Sequence, residues 1–191
     1  MPLAVIIWTS WLVFGLYWLW GWSRVKSAQR REPVLPRILK YWLPLVLATW
    51  LIAAPDHWFH DSWLGKDIYP ARYWIAALGA LLTALGVAFA CWARFVLGRN
   101  WSSVVQVKKD HELVQRGPYR WVRHPIYTGV LLAFLGTALA IDQWRAMVCL
   151  AVVALSFWFK LRLEERWMCE QFGAAYAEYM RRTKALVPGV L

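Results

Sequence analysis

The chain has 191 residues, 60% of them hydrophobic and 16 of them tryptophan, with a formal net charge of +11. That composition is too apolar and too rich in interfacial rings for a water-soluble domain, so the solvent it implies is a bilayer. The positive charge does not point to nucleic acid as a partner, because the basic residues collect in alternate loops and no basic motif of a nucleic-acid module occurs.

Leu3 to Ser23 is the first uncharged stretch. MPLAVIIW lacks the basic flank of a cleaved signal peptide and its apolar run is too long for one, so a retained span is expected. About twenty residues cross a hydrocarbon core of about 30 Å. Tyr41 to Pro55 is a shorter second span, with Arg37 and Lys40 placed to snorkel at one end and Trp58 and Trp63 to anchor the other. Between the second and third spans, DHWFHD sets His57 and His60 three apart between two aspartates; it lacks a full ligand set, and no metal is expected there. Cys91, Cys149 and Cys169 form no CxxC pair, which argues against a disulfide framework or a zinc site.

Tyr73 to Ala93 is the third span. Pro125 to Ile141 and Ala146 to Phe159 read as a tight helical hairpin around Asp142–Arg145, and the sequence leaves open whether it crosses fully. Lys160 to Lys184 reads as a tail helix whose interleaved rings and charges suit the headgroup level. The expected fold class is therefore all-α: an integral membrane protein of about five transmembrane helices, with a polar loop before the fourth and an interfacial C-terminal helix. One membrane domain, 1–191, is expected, its two-span segment 1–72 preceding a core at 73–191. Basic residues outnumber acidic six to one in 23–40 and seven to two in 94–124, against two to three in 55–72. By the positive-inside rule the loops at 23–40 and 94–124 are cytoplasmic, with the N-terminus outside and the C-terminus inside.

No ionisable side chain lies near the centre of a span, which argues against a transporter or proton pump. Polar groups gather in WSSVVQVKKDHELVQRGPYRWVRHPIY and KLRLEERW, each abutting a membrane helix. In the first, Pro125 suits the opening position of the fourth span with His124 as its cap, a helix end that offers free N–H groups to an anion. The competing reading has Arg116, Arg120 and Arg123 facing lipid phosphates with Tyr119, Trp121 and Tyr127 as belt aromatics. In the second, Lys160 and Glu164 share a helix face, either as a ligand-binding pair or as an ordinary surface pair, and spacing does not exclude Glu165 from the same part.

HELVQRGPYRWVRHPIYTG followed by EERWMCEQFGAAYAEYMRR and a closing proline resembles the isoprenylcysteine carboxyl methyltransferase family, which is similar to the phospholipid methyltransferases. The likeness covers about the last hundred residues, and the joint pattern G-x-Y-x-x-x-R-H-P-x-Y with E-E…F-G-x-x-Y-x-x-Y carries it. The resemblance implies S-adenosylmethionine as cofactor, bound at the cytoplasmic membrane surface without a Rossmann-type domain. Carried over by motif, the cofactor contacts fall on His111, Glu112, Leu113, Val114, Tyr119, His124, Pro125, Ile126, Tyr127 and Glu164. Gln106 resembles a family glutamine, at a shorter spacing to His111 than in the eukaryotic enzymes. Where those enzymes place an arginine to hold the substrate carboxylate, this chain has Lys160, with Arg162 two residues on; lysine lacks the bidentate fork. The implied partners are the bilayer and a hydrophobic, lipid-like small molecule; the setting expected for this chain is the inner membrane of a prokaryote. Carboxyl O-methylation of an isoprenylcysteine-like acceptor stands beside N-methylation of an aminophospholipid, S-methylation of a small thiol, and a non-catalytic scaffold.

Overall fold

The structure, a computed structural model, describes residues 2–22, 28–31, 33–70, 72–98, 106–108 and 113–190. In chain order its main elements are α1 (Pro2–Trp22), β1 (Ala28–Arg31), α2 (Val34–Ala53), α3 (Tyr73–Leu97), β2 (Gln106–Lys108), α4 (Pro125–Ile141), α5 (Trp144–Phe172) and α6 (Ala174–Arg182). α1, α2, α3 and α5 have the length and hydropathy to cross a bilayer, and the 17-residue α4 is a fifth apolar helix. The protein is a multi-pass integral membrane protein of helical fold, as expected. Lipid cannot satisfy backbone polar groups, so each crossing segment must close its own hydrogen bonds as helix. Val5, Leu12, Leu16 and Leu19 on α1 are exposed, and these are side chains that acyl chains solvate.

Tight packing of α3 on α4 forms the centre. Gly79 and Gly86 on α3 meet Gly136 and Gly129 on α4 so closely that a Cβ at Gly86 would lie 2.5 Å from the Ala133 nitrogen and the Gly129 oxygen. Small residues at such a crossing let backbones approach where no hydrophobic force drives helices together. Thr83 and Thr137, both buried, face each other at 3.3 Å between the hydroxyl oxygens, and the Trp11 indole donates to Thr137 at 3.0 Å, tying α1 to the pair.

Two boundaries differ from expectation. α2 begins at Val34 rather than Tyr41, because charge at Arg37 and Lys40 marks where the bilayer ends, not where the helix ends. Its turn Ile38–Trp42 is a π-helix, which shifts the i→i−4 ladder, and Ser156 on α5 donates to the Lys40 carbonyl at 3.1 Å. The tail is not one helix from Lys160 to Lys184. α5 runs unbroken from the hairpin to Phe172, so its last three turns project beyond the apolar segment that ends at Phe159, and Gly173 in the left-handed region (φ 52°) then breaks the chain into the short α6. The helical fold also carries one short ribbon: β1 and β2 pair antiparallel, with Arg31 opposite Gln106, and the ribbon joins two loops at one end of the bundle.

At the opposite end, the α4–α5 hairpin turns on Asp142, the one described non-glycine residue with positive φ (57°). Aspartate tolerates this region, and here its Oδ1 also accepts from the Ile68 and Tyr69 N–H groups at 3.3 and 3.2 Å. Arg145 is buried beside it. It donates to the Ala54 carbonyl at 2.6 Å, to Gln143 Oε1 at 2.6 Å and to Asp56, which closes the C-terminal end of α2. Asp56 of the DHWFHD stretch thus serves an ion pair, and His60 lies exposed against Asp61 at 2.8 Å.

Candidate functional site

The site is assembled where α4 begins. Arg116 is extended and Gly117 takes a left-handed turn (φ 59°), after which a 3-10 turn, Gly117–Arg120, buries Pro118 and Tyr119. His124 precedes the helix and Pro125 occupies its first turn, where a missing N–H costs nothing. The segment after α6 returns to this point. Val122 forms a parallel bridge with Lys184, Arg123 N donates to the Lys184 carbonyl at 2.9 Å, and His124 N donates to the Ala185 carbonyl at 3.0 Å. Thr128 Oγ1 donates to the Leu186 carbonyl at 2.7 Å, and the Tyr179 hydroxyl donates to the Tyr119 carbonyl at 2.5 Å.

Against this strapped loop lies the projecting part of α5. Glu164 and Glu165, about 100° apart on a helix, take opposite edges of the same imidazole. His124 Nδ1 is 3.5 Å from Glu164 Oε2, and His124 Nε2 is 3.3 Å from Glu165 Oε1. Glu165 Oε1 also accepts from Arg123 Nε at 2.7 Å, and the Arg123 guanidinium donates onward to the Thr183 carbonyl. Glu164 Oε1 accepts from the Tyr127 hydroxyl at 2.7 Å. The His124 and Tyr127 rings stack with planes 4° apart, Tyr127 stacks in turn on Phe157, and Lys160 Nζ sits 5.4 Å above the Tyr127 ring.

Burial alone would push the His124 imidazole below its ordinary value, and it is the largest single influence; the two carboxylates together outweigh it and raise the ring's pKa. Burial likewise works to raise Glu164 and Glu165. For Glu164 the hydrogen bond from His124 and the charge of Lys160 prevail, and for Glu165 the hydrogen bonds from His124 and Arg123 do, so both are lowered. Each partner thus favours the charged form of the other: the two carboxylates favour a protonated ring, and the ring, with Arg123 at Glu165, favours the ionised carboxylates. Tyr119 is held protonated by burial, and the neighbouring Tyr179 phenol and Glu164 carboxylate act in the same direction.

Most of the sequence-derived residues converge here. His124, Pro125, Ile126, Tyr127, Lys160 and Glu164 meet around the start of α4, with Tyr119 buried below them and Leu113 and Val114 half-buried at the entry of the loop. Gln106 lies on β2, which packs against α5. His111 and Glu112 lie outside the described residues. Arg162 does not join the group: its guanidinium is 4.7 Å from the Trp158 ring centre, and it lines a groove of about 420 Å³ with Glu165, Arg166, Cys169 and Met180. Sequence reasoning missed Arg123 as a buried ion-pair partner and missed the returning tail. Arg123 had one signal, its place between an aromatic segment and a helix cap; the backbone pairing of residues 183–186 had none.

The geometry leaves a specific capacity. A carboxylate has about four lone-pair directions. Glu164 commits one oxygen to Tyr127 and turns the other toward His124, so directions remain for a further cationic donor. The Ile126 and Tyr127 N–H groups fall in the first turn of α4, where a helix has no carbonyl to offer them. A cationic amine and an anionic group on one small ligand would both find partners.

The family model described as "Phospholipid methyltransferase" matches residues 74–175. The protein-S-isoprenylcysteine O-methyltransferase of Saccharomyces cerevisiae is 33% identical over 136 residues, which cover 67% of this chain and 57% of that protein. The cobalt-zinc-cadmium resistance protein CzcN of Cupriavidus metallidurans is also 33% identical, over 68% of this chain and 55% of that one. A solved eukaryotic intramembrane Ras methyltransferase, isoprenylcysteine carboxyl methyltransferase, superposes with a TM-score of 0.57 at 25% identity, covering 83% of this chain and 55% of that one. The chain thus spans a little over half the length of these relatives.

Proposed function

The chain belongs to the phospholipid methyltransferase family, and we propose that it transfers a methyl group from S-adenosylmethionine to a lipid-like acceptor at the cytoplasmic membrane surface. The observation that carries this reading is the meeting of Glu164 with His124 and the first turn of α4, which gives a carboxylate for the donor's ammonium and N–H groups for its carboxylate. When bound, the cofactor supplies a methyl group on a sulfonium, a good leaving group that needs no activation. What remains for the protein is alignment and exclusion of water. Tyr127 and His124 fix the Glu164 carboxylate on two sides, and the strapped loop at 117–124 closes the cytoplasmic face over it.

We assign Lys160 to the acceptor. Its ammonium lies over Tyr127, one helical turn before Glu164, where it would draw an anionic acceptor group to the site as a point charge. A carboxylate acceptor, with a pKa of about 4, is already ionised at neutral pH and requires no base. His124 has both ring nitrogens turned to carboxylates and committed to them, which suits it poorly to removing a proton from an amine or thiol and favours carboxyl O-methylation. In this reading the N-terminus is outside and the membrane is the inner membrane of a prokaryote. The test offers isoprenylcysteine analogues, phosphatidylethanolamine and simple thiols with methyl-labelled cofactor. Label is expected in the carboxyl ester; label in the amine or thiol alone would overturn the carboxylate assignment, and no label in any acceptor would overturn the enzyme.

A further inference from the structure

Two adjacent glutamates reach the same imidazole, yet they differ in what else they hold. Glu164 has a side chain 22% exposed and directions left for a ligand, whereas Glu165 is 9% exposed and places one oxygen against both Arg123 and His124. Arg123 in turn bonds the Thr183 carbonyl, and its own N–H and that of His124 bond Lys184 and Ala185. A chain of contacts therefore runs from Glu165 through Arg123 to the tail, and from Glu165 through His124 to Glu164.

We propose that Glu165 is a positioning residue of this site: it touches neither donor nor acceptor, and it holds Arg123 and His124 so that the tail is strapped over α4 while Glu164 alone faces the cofactor. The proposal rests on the function assigned above. Its physical content is a division of charge. Without Glu165, the buried Arg123 guanidinium would have backbone carbonyls as its described partners, and His124 would turn to Glu164 as its one carboxylate, competing with the cofactor's ammonium for it. The charged and titratable groups around His124 are Glu164, Glu165 and Lys160 from α5, Tyr127 from α4, Arg123 beside it, Tyr119 in the preceding turn and Tyr176 and Tyr179 from α6. Among these, the two carboxylates are in direct contact with the ring.

The test follows the ring itself. The chain has four histidines, so labelled imidazole resonances can be assigned by single replacements and the His124 titration read directly by NMR. Glu165→Gln is expected to lower the His124 midpoint by about one pH unit and to weaken S-adenosylhomocysteine binding about tenfold, with Glu165→Asp restoring part of both. Arg123→Gln should move the midpoint the other way, since Glu165 is then left to His124 alone; this variant decides the matter if Glu165→Gln does not fold. An unmoved midpoint, or movement in the same direction in both variants, overturns the proposal. So does a loss of binding in Glu165→Gln as large as in Glu164→Gln, which would make Glu165 a direct ligand. A wild-type protein that binds no S-adenosylhomocysteine sinks the functional reading instead, and the His124 titration still decides whether Glu165 positions the ring.

Discussion

The two ends of the bundle each bury an arginine beside a hairpin or loop, and they use it differently. At the α4–α5 hairpin, Arg145 places its donors on the Ala54 carbonyl, Gln143 and Asp56, while Asp142 takes up two backbone N–H groups. That cluster ends on Asp56, whose carboxylate is open to water. At the start of α4, Arg123 is also tied to backbone carbonyls and a carboxylate, but the network goes on through His124 to Glu164, which ends it with capacity unspent. Buried charge alone does not mark a binding site; a charge network that stops at a mostly buried carboxylate beside the unpaired N–H groups of a helix start is the candidate for one.

The comparison breaks if loss of Glu164 acts on stability rather than on binding. Glu164→Gln is expected to weaken S-adenosylhomocysteine binding about a hundredfold, because a charged hydrogen bond is worth about 1.5–3 kcal/mol, with a smaller loss of melting temperature than Arg145→Met causes. Arg145→Met should do the reverse. It orphans the Ala54 carbonyl and leaves Gln143 and Asp56 without their cation, costing about 2 kcal/mol by denaturant or thermal unfolding, with binding per folded molecule retained.

Acidity separates the ends further. The raised His124 contributes stability that is complete below its ordinary value of 6.5 and is lost as pH rises through its folded value. Glu164 and Glu165 contribute stability that is complete above 4.5 and is lost as pH falls through their lowered values. The melting-temperature advantage of wild type over His124→Gln should therefore shrink on the alkaline side, whereas that over Arg145→Met should stay level there. Thr128→Val, which removes the bond to the Leu186 carbonyl, should cost about 1 kcal/mol of stability and lower affinity severalfold. Smallest of all, His60→Ala should leave both melting and binding unchanged, since its pair with Asp61 is solvent-exposed.

How much of this the sequence discloses follows from the range of the interactions. Spans were legible because lipid imposes long apolar runs, and the hairpin because Asp142, Gln143 and Arg145 interrupt one. The helix ends were less so: charge at Lys40 concealed the start of α2, although Gly173 offered a readable stop inside the supposed tail helix. Helical spacing left Lys160 and Glu164 as either a ligand pair or a surface pair, and the proline after His124 marked it only as a helix cap; the family resemblance is what singled them out. What the sequence could not show was which of two neighbouring glutamates stays open, because that depends on Arg123, forty-two residues away, and on a tail that pairs through backbone alone.

The central claim is that Glu164, held by His124 and Tyr127, receives the amino end of an adenosyl cofactor. Calorimetric titration of S-adenosylhomocysteine into wild type and Glu164→Gln, side by side in nanodiscs, tests it most directly. The account predicts saturable heat in the wild type and its loss in a variant that still melts cooperatively; no saturable heat in the wild type, or equal affinity in the two, would contradict it.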